Sequence, residues 1–157
     1  MNPKEYAEIC ESFYITPPGQ DRGEYLAFLL NEEAGEVSKI FAKAMRDGAT
    51  HPNKRHVYGF AAIDKNKLIK ELGDVLWCVS FHDDDPADWF QVPPPDEVSN
   101  AFVLEMLNEI ANAPTMATMS NLCSHLGLDV RFVALANIEK LKSRRDRGTL
   151  NGEGDDR

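Results

Sequence analysis

Two carboxylate pairs, Glu33/Glu36 and Glu71/Asp74, each spaced i,i+3 in a strongly helical stretch, constrain this chain more than any other feature. Residues three apart share one helix face. At about 100° per residue, Glu33 falls in the middle of Leu26, Leu29, Leu30, Val37 and Ile40, and Glu71 falls among Leu68, Val75 and Cys78. Acids directed into a helix bundle repel one another and lose hydration. They stay ionised there only where cations balance them, and four converging oxygen donors suit Mg²⁺ or Mn²⁺.

Periodicity places helices on either side of these pairs. A short amphipathic helix is predicted near 3–14, with Tyr6, Ile9, Cys10 and Phe13 on one side. A long one runs from about Glu24 to Arg46, with Gly48 as its stop. After a loop over 49–63, Asp64 is the expected N-cap of a helix reaching about His82. Residues 83–97 are proline-rich and aperiodic. Further helices are predicted over about 99–113, 115–126 and 129–147, the last two separated by Gly127. No strand pattern or internal repeat appears, so the expected fold is all-α with a four-helix core. Residues 1–147 are expected to form one domain, and 148–157 an extended or mobile tail.

The 157 residues suffice for a real core, and the net charge of −9 argues against a general nucleic-acid surface, which needs a basic patch. Bases do cluster locally at Lys140, Lys142, Arg144, Arg145 and Arg147. Three dispersed cysteines, Cys10, Cys78 and Cys123, suggest neither a disulfide framework nor a zinc pair and fit a reducing cytoplasm. No signal peptide and no membrane span are expected.

Each candidate residue has a bland alternative. Glu32-Glu33-Ala34-Gly35-Glu36 would serve as a solvated acidic patch, but Glu33 lies inside the apolar stripe. Gly35 costs about 1 kcal/mol in a helix interior relative to Ala, which close approach of a partner or ligand would explain. Glu71-Leu72-Gly73-Asp74 repeats the arrangement, and Glu32 lies at its edge, within reach of a second ion. On the last helix Asn137, Lys140 and Arg144 span roughly 60° of arc. Asn137 sits among Val130, Val133, Ala134 and Leu141 and needs a buried partner. Lys140 and Arg144 suit phosphate, one as a point charge and one as a fork. Lys43 and Arg46 are weaker candidates of the same kind, whereas Arg145 and Arg147 complement the helix dipole. Trp77, Phe13 and Tyr14 suit either base stacking or simple core packing. The four histidines show no ligand spacing.

The pattern Glu32-Glu33-Ala34-Gly35-Glu36 followed by Glu71-Leu72-Gly73-Asp74 resembles the E-E-x-x-E and E-x-x-D signature of MazG-like all-α nucleoside triphosphate pyrophosphohydrolases. "EEAGEVSKIFAKAMRDG" resembles the family's first core helix, and "KELGDVLWCV" its second. "LANIEKLKSRRDRGTLNGEGDDR" resembles the ending of phage-type and bacterial members, with Gly152, Gly154, Asp155 and Arg157 in its closing motif. Residues of about 83–115 look like a helical insertion relative to compact members.

The resemblance implies hydrolysis of a nucleoside triphosphate to monophosphate and pyrophosphate by a homodimer or homotetramer. It implies Mg²⁺ or Mn²⁺ on Glu33, Glu36, Glu71 and Asp74, and a water oriented or deprotonated by Glu32 or Glu36. Lys140 and Arg144 would neutralise the leaving phosphates. Lys43, Arg46, Trp77 and Asn137 complete the expected substrate contacts. Deoxynucleotides are the expected substrates, and the phage-like ending raises dGTP as a specific candidate, as in the MazZ-type branch of viruses that use 2-aminoadenine. Two other classes compete: a non-catalytic nucleotide-binding or regulatory bundle, and a di-iron carboxylate protein, which would require Glu-x-x-His pairs that this chain lacks.

Overall fold

The computed structural model describes residues 1–15, 19, 21–48, 63–96 and 98–150. Among them are six helices: α1 (Pro3–Glu11), α2 (Arg22–Gly48), α3 (Lys65–Val79), α4 (Asn100–Asn112), α5 (Met116–His125) and α6 (Val130–Asp146). The fold is all-α, as the periodicity predicts. The loop predicted over 49–63 lies outside the described residues except for Ile63, and so does the closing motif at 152–157.

Local chemistry sets the helix starts. Asn2 and Glu5 form a reciprocal capping box on α1, with Pro3 in its first turn. Asp64 caps α3, its side chain accepting from the amides of Asn66 and Lys67. Ser99, Thr115 and Asp129 do the same for α4, α5 and α6. Gly127, at φ +66°, ends α5 in a Schellman turn, in which Leu128 N–H donates to Cys123 O (2.8 Å) and Gly127 N–H to Ser124 O (3.0 Å).

Two boundaries differ from expectation. The first helix stops at Glu11 rather than near 14, because Phe13 and Tyr14 donate three residues back, to Cys10 and Glu11, in a tightened turn. The third stops at Val79 rather than near His82: Ser80 Oγ takes the Trp77 carbonyl at 2.6 Å, and Phe81 and His82 again bond three residues back. Gly148 and Thr149 close α6 in a second Schellman turn, donating to Arg145 O and Arg144 O at 2.9 Å each, and residues 151–157 of the expected tail lie outside the described residues.

Helix α2 packs on α3, α3 on α6, α6 on α5, α5 on α4 and α4 back on α2, while α1 lies against α6. Leu30, Val37, Leu68, Leu72, Leu76, Ile110, Met119, Leu122 and Val133 fill the common core. The segment 83–115 is thus more than an appendage, since Val103, Met106, Leu107 and Ile110 of α4 belong to that core. Ahead of α4, Trp89 is buried against the Tyr6 ring, centroids 5.9 Å apart. Among the described residues no helix is long and apolar enough to cross a membrane.

Candidate active site

Where α2 meets α3, Glu33, Glu71 and Asp74 each bring a carboxylate oxygen to within 4.8 Å of the others, and all three side chains are half-buried. The spacing explains half of this. Glu71 and Asp74 share a face of α3, and that face turns toward α2 because Leu68, Val75 and Cys78 are buried on the same side.

The third wall is α6, and Gly73 admits it. A Cβ at Gly73 would lie 3.0 Å from Asn137 Cβ and 3.3 Å from Asn137 Nδ2, so only glycine allows this approach without displacement. Asn137 Nδ2 donates to Asp74 Oδ1 at 3.3 Å, and Lys140 Nζ donates to Asp74 Oδ2 at 2.6 Å. The Lys140–Asp74 pair is sheltered, with side chains 14% and 19% exposed. The buried partner that Asn137 requires includes Tyr6, whose hydroxyl donates to Asn137 Oδ1 at 2.9 Å. Among the described residues, no heavy atom beyond its own helix backbone and chain neighbours lies within 4 Å of the would-be Cβ of Gly35.

Burial and the Asp74 charge push the Glu33 carboxyl up to about 8, with Glu32 and Glu71 adding to the rise and Lys140 opposing it. Without a cation, Glu33 therefore holds a proton at neutral pH. A half-buried, all-oxygen donor set that cannot stay fully ionised unaided fits a hard divalent cation. Cys78 is no competitor as a ligand, because burial first, and then Glu33 and Asp74, raise its thiol well above the usual range. The converging group contains no histidine, as a di-iron site of the Glu-x-x-His type would require.

The remaining candidates lie around this centre. Glu36 is outside the converging group, and its carboxylate accepts from Lys39 Nζ at 3.1 Å. Glu32 and Lys43 are exposed on α2. Arg46 is exposed and pairs with its neighbour Asp47 at 3.3 Å. Arg144 is half-buried one turn beyond Lys140. Trp77, one turn beyond Asp74, meets Phe81 edge-on with centroids 4.8 Å apart, and Tyr14 lies 6.1 Å from it. The Arg22 guanidinium covers the Tyr14 ring at 4.4 Å and Phe81 at 5.1 Å. Trp77 Nε1 and Tyr14 OH are buried with no hydrogen-bond partner among the described residues. Phe13 belongs elsewhere, under Arg145 at 4.8 Å. Sequence reasoning did not select Arg22, Phe81 or Tyr6. Their signal is only an aromatic or basic residue on an amphipathic helix or turn.

The MazG nucleotide pyrophosphohydrolase domain family matches residues 22–89, which include α2, α3 and every carboxylate of the cluster. No curated protein and no solved structure matches the chain. Residues 22–89 of this chain are therefore similar to a MazG nucleotide pyrophosphohydrolase domain.

Proposed function

We propose that this protein hydrolyses nucleoside triphosphates to monophosphate and pyrophosphate, deoxynucleotides foremost, with dGTP as the most specific candidate. The observation that carries the proposal is the convergence of Glu33, Glu71 and Asp74 inside the segment that matches a nucleotide pyrophosphohydrolase domain. These three residues would hold Mg²⁺ or Mn²⁺. Glu36 is the proposed fourth ligand. Its exposed pairing with Lys39 is of a kind worth only about 0.3–0.5 kcal/mol and is readily exchanged. When bound, the ion supplies charge to the phosphate oxygens and acidity to a water molecule.

Glu32 or Glu36 orients the attacking water and takes its proton. The water oxygen bonds to the α- or the β-phosphorus, the bond from that phosphorus to the bridging oxygen breaks, and the electron pair stays on the bridging oxygen, which leaves with pyrophosphate after attack at α or with the monophosphate after attack at β. Lys140 and Arg144, one turn apart on α6, stabilise that growing charge. Lys43 and Arg46 draw the polyphosphate toward the end of α2, and Trp77 offers the base a stacking face beside Asp74. Asn137 and Lys140 hold Asp74 in place. The proposed assembly is a homodimer or homotetramer.

The decisive experiment incubates the protein with each common dNTP and NTP in Mg²⁺ or Mn²⁺ and separates pyrophosphate from orthophosphate. Pyrophosphate with monophosphate is the expected outcome, and a preference for dGTP would narrow the role. Orthophosphate alone, or no turnover by folded, metal-loaded protein, would refute the reaction. Glu36→Gln separates an enzyme from a binding-only bundle: turnover should fall by at least about 100-fold with the fold intact.

A further inference from the structure

The geometry points to Tyr6, on a helix outside the family-matched segment, as a positioning residue that sets Asp74 through Asn137. This inference rests on the proposed metal-dependent reading of the carboxylate cluster.

An ionised carboxylate can only accept hydrogen bonds, so Asn137 must present Nδ2 to Asp74 and Oδ1 to the opposite side. There Tyr6 OH donates to Oδ1 at 2.9 Å, across 131 residues of sequence. Both partners are closed off from bulk water, Tyr6 at 0% and Asn137 at 2% exposure. The amide has little room to move. Gly73 leaves just enough space for it, and its Cβ stands 3.0 Å from where a glycine substituent would be. The Trp89 ring packs against Tyr6, centroids 5.9 Å apart. The result is a fixed relay from α1 through α6 to α3, ending on the oxygen next to the one that Lys140 holds. Removing the hydroxyl leaves Oδ1 buried without a donor, and the amide then gains by turning or shifting. Either movement withdraws Nδ2 from Asp74 and loosens the carboxylate that the ion needs in place. Partners of metal ligands at this remove typically alter affinity or activity by 10–100-fold.

The test compares Tyr6→Phe, Asn137→Leu and the double variant in the full-length protein. Free Mn²⁺ is followed by electron paramagnetic resonance, alongside pyrophosphate release. Tyr6→Phe should raise the Mn²⁺ Kd by about tenfold. Excess Mn²⁺ should restore turnover, and the nucleotide KM at saturating Mn²⁺ should not change. The double variant should bind Mn²⁺ no more weakly than Asn137→Leu alone, because Tyr6 acts only through that amide. An unchanged Mn²⁺ Kd in Tyr6→Phe, turnover lost beyond rescue by Mn²⁺, or additive losses in the double variant would overturn the inference while leaving the reaction standing. If wild-type protein binds no Mn²⁺ at these carboxylates, the metal-dependent reading fails and the inference fails with it.

Discussion

At the scale of single residues, Glu33 carries the clearest consequence. Its folded pKa is about 8, against 4.5 for the ordinary carboxyl, because burial and Asp74 disfavour the charge. A group whose folded value is raised contributes stability that is fully present below the unfolded value and is lost as pH rises through the folded one. Metal-free protein should therefore lose stability between about pH 4.5 and 8, on the order of a few kcal/mol, through this group. Urea unfolding in EDTA across that range, for wild type and Glu33→Gln, measures it, and the difference between the two curves should flatten in the variant. A Glu33→Gln profile identical to wild type would show that the carboxyl titrates normally. The residue-scale chemistry was only partly legible in the sequence. Glu33 inside an apolar stripe announced a buried acid, and Asn137 on an apolar face announced a need for a partner. That the partner is Tyr6, and that Gly73 marks the close approach of α6, depends on how α6 docks on α3. Nothing within either segment encodes that docking.

At the scale of elements, the helices were legible because their signals are local. Asp64, Ser99, Thr115 and Asp129 each accept from the amides that their own first turn leaves open. Ends were less legible, since Ser80 competes for the Trp77 carbonyl and so stops α3 early. The entry to α4 also contains a contact that no local pattern announces. Ser99 N–H donates to His125 Nε2 at 3.0 Å, and Phe102 lies on the imidazole with centroids 4.1 Å apart. Burial lowers the His125 pKa from 6.5. The unfolded chain therefore binds this proton more readily, so the stability it governs is present above about 6.5 and lost as pH falls through the folded value. Protonation also sets Nε2–H against the Ser99 N–H. Acidification from pH 7.5 to 5 should destabilise wild type relative to His125→Gln, with a slope of less than one proton. Because Glu33 acts in the opposite sense over part of this range, the comparison is made between the two proteins at each pH. Parallel curves would mean that His125 plays no part.

For the molecule as a whole, the candidate centre joins helices that lie far apart in the chain: Glu33 from α2, Glu71 and Asp74 from α3, and Lys140 from α6. An unfolded chain has no such convergence, so an ion that needs it binds only the folded form, and its binding energy becomes folding energy. At a free concentration 100 times its Kd, one ion adds about 2.7 kcal/mol. For a domain of this size each kcal/mol moves the midpoint by roughly 2–4 °C, which gives a rise of about 5–10 °C on passing from EDTA to saturating Mn²⁺. The net charge of −9 introduces a competing cause, because any salt relieves self-repulsion. Potassium chloride at matched ionic strength removes that ambiguity, since screening depends on ionic strength whereas site binding depends on the identity of the cation. Calorimetry should show a midpoint that climbs with the logarithm of Mn²⁺ concentration above Kd and responds little to K⁺. Asp74→Asn should abolish most of the climb, leaving the small response to K⁺ unchanged. An equal rise in both salts would reduce the effect to screening, and a full Mn²⁺ response in Asp74→Asn would place the ion away from the α2–α3 seam.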